Sequence, residues 1–471
     1  MQSRSVAPDL SEEFEEFHEF GGFGTSAPKH RRAAAPDALE HFAGPEHRDI
    51  GDLASGQEAT TIAYGERGER LTFGEVVALA GDHFETYSEM VELARTAQGR
   101  AKIAWARWYA LGLEQKSVPE PAADRKHVMD RYYILASRNW SHFSAGGEAR
   151  QTYLKWHARA FPDALLAGQE SNPGVWRRAL TKEAFAAHFL TDMFSAGHVR
   201  IPRMAIRDWY ARHVPEDQLL HYLVSYLNER LPRPLWARLP IASSVYSSIA
   251  QGRIEARLVE FGGAAVRVVS ASDIVSVALH DLENRVGLRV VSDVDIDGRR
   301  VKGGFPWLAL GDGQLHKSSA GSVTKRMATA AVITSLRDLE RIRGVGRKLA
   351  GKRLSASQQA DAVRQALGGM VSAALAFVPR EDPTVRKDGA NTPLPGQTPG
   401  KSPLDWRWGQ LGDVTYHVVD EAIKNRIANE VASHLSTVDN SDQRRVLAEF
   451  VKHLRADGIR AIERAVGKKA R

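Results

Sequence analysis

Between His188 and His198 the chain reads HFLTDMFSAGH, and no other stretch constrains the fold as much. His188 and Asp192 are four residues apart in an apolar, helix-forming run, so a helix sets both side chains on one face, one turn apart. Thr181 is the expected N-cap, with Ala184, Phe185, Ala187, Phe189, Leu190 and Met193 as helix formers or core residues. Gly197 marks the helix end or a distortion that turns His198 towards the same neighbourhood. An imidazole and a carboxylate presented by one rigid helix suit a divalent metal. The plainer reading is a hydrogen-bonded core histidine beside an exposed aspartate.

Four other segments bear on that choice. Asp82 follows the apolar run in VVALAGDHF, and His142 sits in SRNWSHFSAGG just past a Tyr-rich helix. His47 lies in PEHRDIGD, and His280 opens a polar cluster with Asp281, Glu283 and Asn284 in SVALHDLENRVGL. Taken singly, each is a cap, a turn or a surface residue. Together, a His or Asp closes one apolar segment after another, as in a site built on several helix ends. The 471 residues include no cysteine, which excludes disulfides, thiolate nucleophiles and Cys-bound metal. A metal here rests on His, Asp, Glu, Asn or backbone.

The coarse pattern is mainly helical. LTFGEVVALAGDHF, residues 88–115, DRYYILAS running to about Asn139, residues 147–166, 204–260 and 317–377 read as helices, with a loop at 117–126. AAVRVVS and VGLRVVSDVDI read as a small strand pair. Residues 379–404, PREDPTVRKDGANTPLPGQTPGKSP, read as a linker or long surface loop, followed by helix over about 416–468.

The order of these groups resembles the phospholipase C/P1 nuclease superfamily of mostly helical, multi-zinc enzymes, and the H-x-x-x-D-x-x-x-x-x-H spacing is the one that superfamily uses. The wording is closest to the bacterial zinc-dependent phospholipases C of the pseudomonad and legionella type, through LTFGEVVALAGDHF, LASRNWSHF, HFLTDMFSAGHVRIPR, HDLENRVGL and WLALGDGQL, over residues 45–340. The resemblance implies a mainly α fold with short strands and a core holding two or three Zn2+ ions. Asp82, His142, His188 and Asp192 would hold one ion. Asp192 would bridge to a second, held also by His47. His198 and His280 would hold a third with an oxygen from Glu283, Asn284 or Asp281. The superfamily completes the second site with an N-terminal Trp; here either Asp49 or Asp52 would substitute, or that ion would be weakly held. The third site departs from the pattern, with Asn284 where an acid is usual. The implied chemistry is phosphodiester hydrolysis by metal-activated water, with Asp82 orienting or deprotonating the water. Phe84, Tyr87, Trp140 and Phe143 flank these groups and either line the substrate or pack in the core.

The resemblance makes a phospholipid or membrane surface the expected partner and a single-stranded nucleic acid the alternative. A net charge of +7, from 64 basic and 57 acidic residues, agrees with either anionic substrate. MQSRSVAPDLSEEFEEFHEF lacks the pattern of a Sec signal peptide, so any export is expected to use a signal-independent route. The expected organisation is a disordered lead over 1–43 and a catalytic domain over 44–345. A helix with a Pro/Gly-rich linker over 346–415 and a C-terminal helical segment over 416–471 follow.

Overall fold

The computed structural model describes residues 44–204 (less 57–58, 66, 114–116, 146 and 202), 258–261, 264–267, 276, 280, 283–284, 287–382 (less 312, 317–318, 353–354 and 370), 424, 428, 432, 441–458 and 460–461. The fold is mainly helical with small antiparallel sheets, as the sequence predicts. The expected lead over 1–43, most of the expected helices over 204–260, Asp281 and most of the segment beyond 382 lie outside the described residues.

Helix α1 (Gly44–Ser55) is followed by the hairpin β1 (Ala59–Ala63) and β2 (Arg70–Thr72) and by α2 (Phe73–Leu79). Thr72 and Glu75 start α2 as a reciprocal capping box, which satisfies two amide N–H groups that the first turn leaves open. The segment predicted as one helix over 88–115 is two, α3 (Tyr87–Ala94) and α4 (Ala97–Ala110). The break has a physical cause: Thr96 turns extended and its hydroxyl caps the Gly99 N–H at 3.0 Å, starting a new helix. Helix α5 (Arg125–Ser137) gives way to a 3-10 turn, Asn139–His142, which carries His142.

Helices α6 (Glu148–Glu170) and α7 (Pro173–Asp192) form the centre of the molecule with α9 (Ser319–Leu349). The N-cap of α7 is Asn172, not Thr181: the Asn172 carboxamide accepts from Gly174 N at 2.9 Å, and Pro173 occupies the first helical position. Thr181 lies inside the helix and donates its hydroxyl to the Arg177 carbonyl at 2.8 Å. From Glu183 to Asp192 every residue of α7 is buried, so the helix is enclosed on all sides. It ends at Asp192, and a short turn of helix, α8 (Ala196–Val199), carries His198.

Two features lock α6, α7 and α9 together. Glycines meet where α6 crosses α9: a Cβ on Gly168 would lie 2.1 Å from Arg343 O and 2.9 Å from Gly346 Cα. Nearby, a buried polar chain runs from Glu183 on α7 through His157 (2.7 Å) and Ser335 to Tyr153 (2.7 Å), Ser372 (2.6 Å) and Asp338 (3.2 Å). Each hydroxyl has a partner, as burial demands. The expected boundary at residue 345 falls within α9, which continues unbroken to Leu349, and α10 (Ala356–Ala366) packs against it.

The predicted strand pair does not form as such. Residues of AAVRVVS form β4 (Ala264–Arg267), which pairs with β3 (Leu258–Phe261). VGLRVVSDVDI supplies β5 (Leu288–Val294), the centre of a separate sheet between β6 (Arg300–Ala309) and β7 (Arg380–Glu381). Both runs are apolar and β-branched, and strand pattern alone does not say which partner each takes. Strand β7 comes from the start of the expected linker. Of the expected C-terminal helix, α11 (Ser441–Asp457) is described. No helix among the described residues is long and apolar enough to cross a membrane.

Candidate metal centre

Six segments far apart in sequence bring their polar groups to one place. Asp192, at the end of α7, is the hub. Its Oδ2 lies 2.8 Å from His142 Nδ1 and 3.3 Å from His188 Nε2. Its Oδ1 lies 3.3 Å from His47 Nε2 and 3.5 Å from His198 Nδ1. One carboxylate thus faces two pairs of imidazoles, one pair per oxygen. Asp82 Oδ1 stands 4.0 Å from His142 Nδ1. His280 adjoins the far side, with its Nε2 3.0 Å from His198 Nε2. All of these but His280 are buried.

The local backbone explains why they converge. Gly81, in the turn after α2, has φ +77°, and a Cβ there would lie 2.7 Å from His188 Nε2 and 3.0 Å from His142 Cε1. Only glycine lets the Asp82 turn approach the rings so closely. His188 projects from α7 one turn before Asp192, as its spacing predicts. His198 comes back to the carboxylate because the chain turns after Asp192, where Ser195 N donates to the Asp192 carbonyl at 3.0 Å.

Two of the rings are fixed in one tautomer. His188 Nδ1–H donates to the Val77 carbonyl at 2.8 Å. His47 Nδ1–H donates to Thr191 Oγ1 at 2.7 Å, since the Thr191 hydroxyl itself donates to helix carbonyls, Ala187 O at 2.9 Å or His188 O at 2.8 Å. Each ring therefore turns Nε2 to the carboxylate. Burial lowers the His188 pKa well below the ordinary range against the pull of Asp192, so its Nε2 presents a lone pair. That lone pair faces Asp192 Oδ2 at 3.3 Å and His142 Nδ1 at 3.2 Å, so the positive charge that suits it is either a proton on His142 or a cation. At Asp192 Oδ2, moreover, the nearby nitrogens are not aligned as hydrogen bonds despite their short distances. Burial raises the Asp192 pKa, but His188 and His142 outweigh it and hold the carboxyl well below the usual range. His142 is raised: burial lowers it, and the neighbouring Asp192 more than reverses this. These are the features of a site made for a positive charge. The buried Asp82–His142–His188 group could hold a metal ion, its ligand atoms lying within 4.8 Å of one another.

Other sequence-predicted residues stand elsewhere. Asp49 is paired with Arg48 at 2.6 Å and His316 at 3.3 Å, and Asp52 accepts from Gly74 N at 3.0 Å; both are engaged away from His47. Glu283 pairs with the Arg200 guanidinium, which also reaches Glu381 on β7 at 3.2 Å, so that carboxylate is engaged by Arg200. Asn284 is beside His280 but turns its oxygen to Ser195 Oγ (2.7 Å) and Gly197 N (2.6 Å). Phe84 is buried in the main hydrophobic core. Phe143 is buried with its ring 4.7 Å from that of His198, and the Arg203 guanidinium lies 5.7 Å above it. Of the four aromatics expected to line the substrate, Trp140 and Tyr87 are partly exposed.

Sequence reasoning missed the supporting residues. Thr191 and the Val77 carbonyl orient the rings, and Glu46 takes the N–H groups of Gly313 (2.9 Å) and Leu315 (3.0 Å), holding that loop beside the cluster. Gly81 had a signal, being the glycine next to Asp82; the carbonyl had none.

No protein-family model, curated protein or solved structure matches this chain.

Proposed function

We propose that the protein is a zinc-dependent phosphodiesterase, and that its substrate is a phospholipid cleaved to diacylglycerol and a phosphorylated headgroup. The carrying observation is the two-sided Asp192 carboxylate, with His142 and His188 at one oxygen and His47 and His198 at the other. A bridging carboxylate between imidazole pairs suits two neighbouring ions. The absence of thiolates leaves an N/O donor set, which zinc accepts. Resemblance of the His47, Asp82, His142, His188, Asp192, His198 order to the phospholipase C/P1 nuclease superfamily supports the phosphodiester substrate.

When bound, the zinc ions supply positive charge for the phosphate oxygens and make a water acidic enough to react near neutral pH. The chain's own groups do the rest. Asp82, His142, His188 and Asp192 would hold one ion, and His47 and Asp192 would hold its neighbour. Thr191 and the Val77 carbonyl keep the imidazoles turned to the metals, as acceptors behind metal-bound histidines do. The Asp82 carboxylate, 4.0 Å from His142 Nδ1, would accept the water's proton.

The test gives purified protein phosphatidylcholine or phosphatidylglycerol vesicles and, separately, single-stranded DNA and RNA, with and without zinc. Zinc-dependent release of diacylglycerol, lost by at least 100-fold in Asp192→Asn, is the expected result. Nucleotide release alone would replace the lipid reading with the nuclease one. Native protein that binds no zinc would end both.

A further inference from the structure

We infer that Asn284 is a positioning residue and not a metal ligand, and that its amide N–H end disfavours a cation at the His280 corner of the cluster. This rests on the metal reading above and sharpens it, because that corner is where an acidic ligand is expected.

The orientation of the Asn284 amide is decided by its neighbours. Gly197 N lies 2.6 Å from one end, and a backbone N–H can only donate. The atom facing it is therefore the oxygen, which also accepts from the Ser195 hydroxyl at 2.7 Å. Exchanging the two ends would set N–H against N–H. The remaining end is the NH2, and it faces His280 Nε2 at 3.1 Å. An amide NH2 only donates, so His280 Nε2 accepts from it with the same lone pair that a metal would need, while His198 Nε2 stands 3.0 Å from that same nitrogen. An N–H aimed at that nitrogen also opposes a positive ion placed on it.

The amide is not able to swing its oxygen round. Asn284 is buried, and Gly311 packs so tightly on it that a Cβ there would lie 1.7 Å from Oδ1 and 2.1 Å from Cγ. A Cβ on Gly197 would lie 2.8 Å from the same oxygen. The Asn284 carbonyl takes the Gly311 N–H at 3.1 Å, which closes the wall. Asn284 thus ties α8, which carries His198, to the residues around His280 and to the loop after β6. Its oxygen builds the scaffold, and the adjacent Glu283 carboxylate belongs to Arg200.

Zinc retained after exhaustive dialysis is counted by elemental analysis in wild type, Asn284→Ala and Asn284→Asp, and the metal-free proteins are melted. Asn284→Ala retains the same number of zinc ions as wild type, while its metal-free form melts lower, because Gly197 N–H and Ser195 have lost their acceptor. Asn284→Asp keeps that acceptor, replaces the N–H with an oxygen, and retains one more ion than wild type. Loss of an ion from Asn284→Ala with an unchanged metal-free melting point would overturn the inference, since Asn284 would then be a ligand. An Asn284→Asp protein that retains only the wild-type number would also overturn it, and this arm decides the matter should Asn284→Ala not fold. Zinc absent from all three would instead overturn the metal reading.

Discussion

Among single residues, those that orient the proposed metal ligands are as telling as the ligands themselves. Thr191 is a helix residue whose hydroxyl is both donor and acceptor, and through it α7 sets the ring of His47 on α1. Thr191→Val keeps the shape and removes the acceptor. Zinc affinity is expected to fall by about 10–100-fold, the usual effect of losing a group that orients a ligand. Competition with a chromophoric chelator measures this directly. Unchanged affinity would mean that packing alone holds His47, whose ring lies 4.8 Å from that of His188.

The glycine crossing of α6 and α9 belongs to the scale of elements. At Gly168 and Gly346 the two backbones approach so closely that a single methyl meets main-chain atoms, a contact that side-chain rotation does not relieve. Gly168→Val is therefore expected to force the helices apart and to lower the unfolding free energy by about 1–3 kcal/mol. Urea denaturation of the metal-free protein checks it. The Glu183–His157–Ser335–Tyr153 chain lies between the same helices, so displacement of α9 would also break buried hydrogen bonds. A Gly168→Val protein as stable as wild type would show that the crossing has slack.

For the whole molecule, the cluster is a tie between distant parts of the chain. His47, Asp82, His142, Asp192 and His198 come from α1, the turn after α2, the 3-10 turn, α7 and α8. Without a metal the buried Asp192 carboxylate has only these imidazoles to face it. Binding to the folded state alone stabilises it by about 4 kcal/mol at a free ion concentration 1,000 times the Kd. Chelation is therefore expected to lower the melting temperature of the native protein, and zinc to restore it. A melting curve indifferent to chelator and zinc would count against a metal held by these residues.

What the sequence determined by itself is local. The His188–Asp192 spacing forces two polar groups onto one helix face, the apolar periodicity makes the fold mainly helical, and the lack of cysteine limits the donors. These are properties of neighbours along the chain, and they survive in the structure. Helix starts were less legible, because Thr96 and Asn172 act as caps only where the backbone turns extended, while Thr181 bonds back into its own helix. Tertiary structure alone decided which polar groups meet. It brought His47 to Asp192 across 145 positions of sequence, sent Asp49, Asp52 and Glu283 to basic or backbone partners, and paired β5 with β6 and β7. It also turned the Asn284 oxygen to Gly197 N–H. The physical reason is that burial makes every donor and acceptor find a partner, and the choice among partners depends on distances that spacing along the chain does not contain.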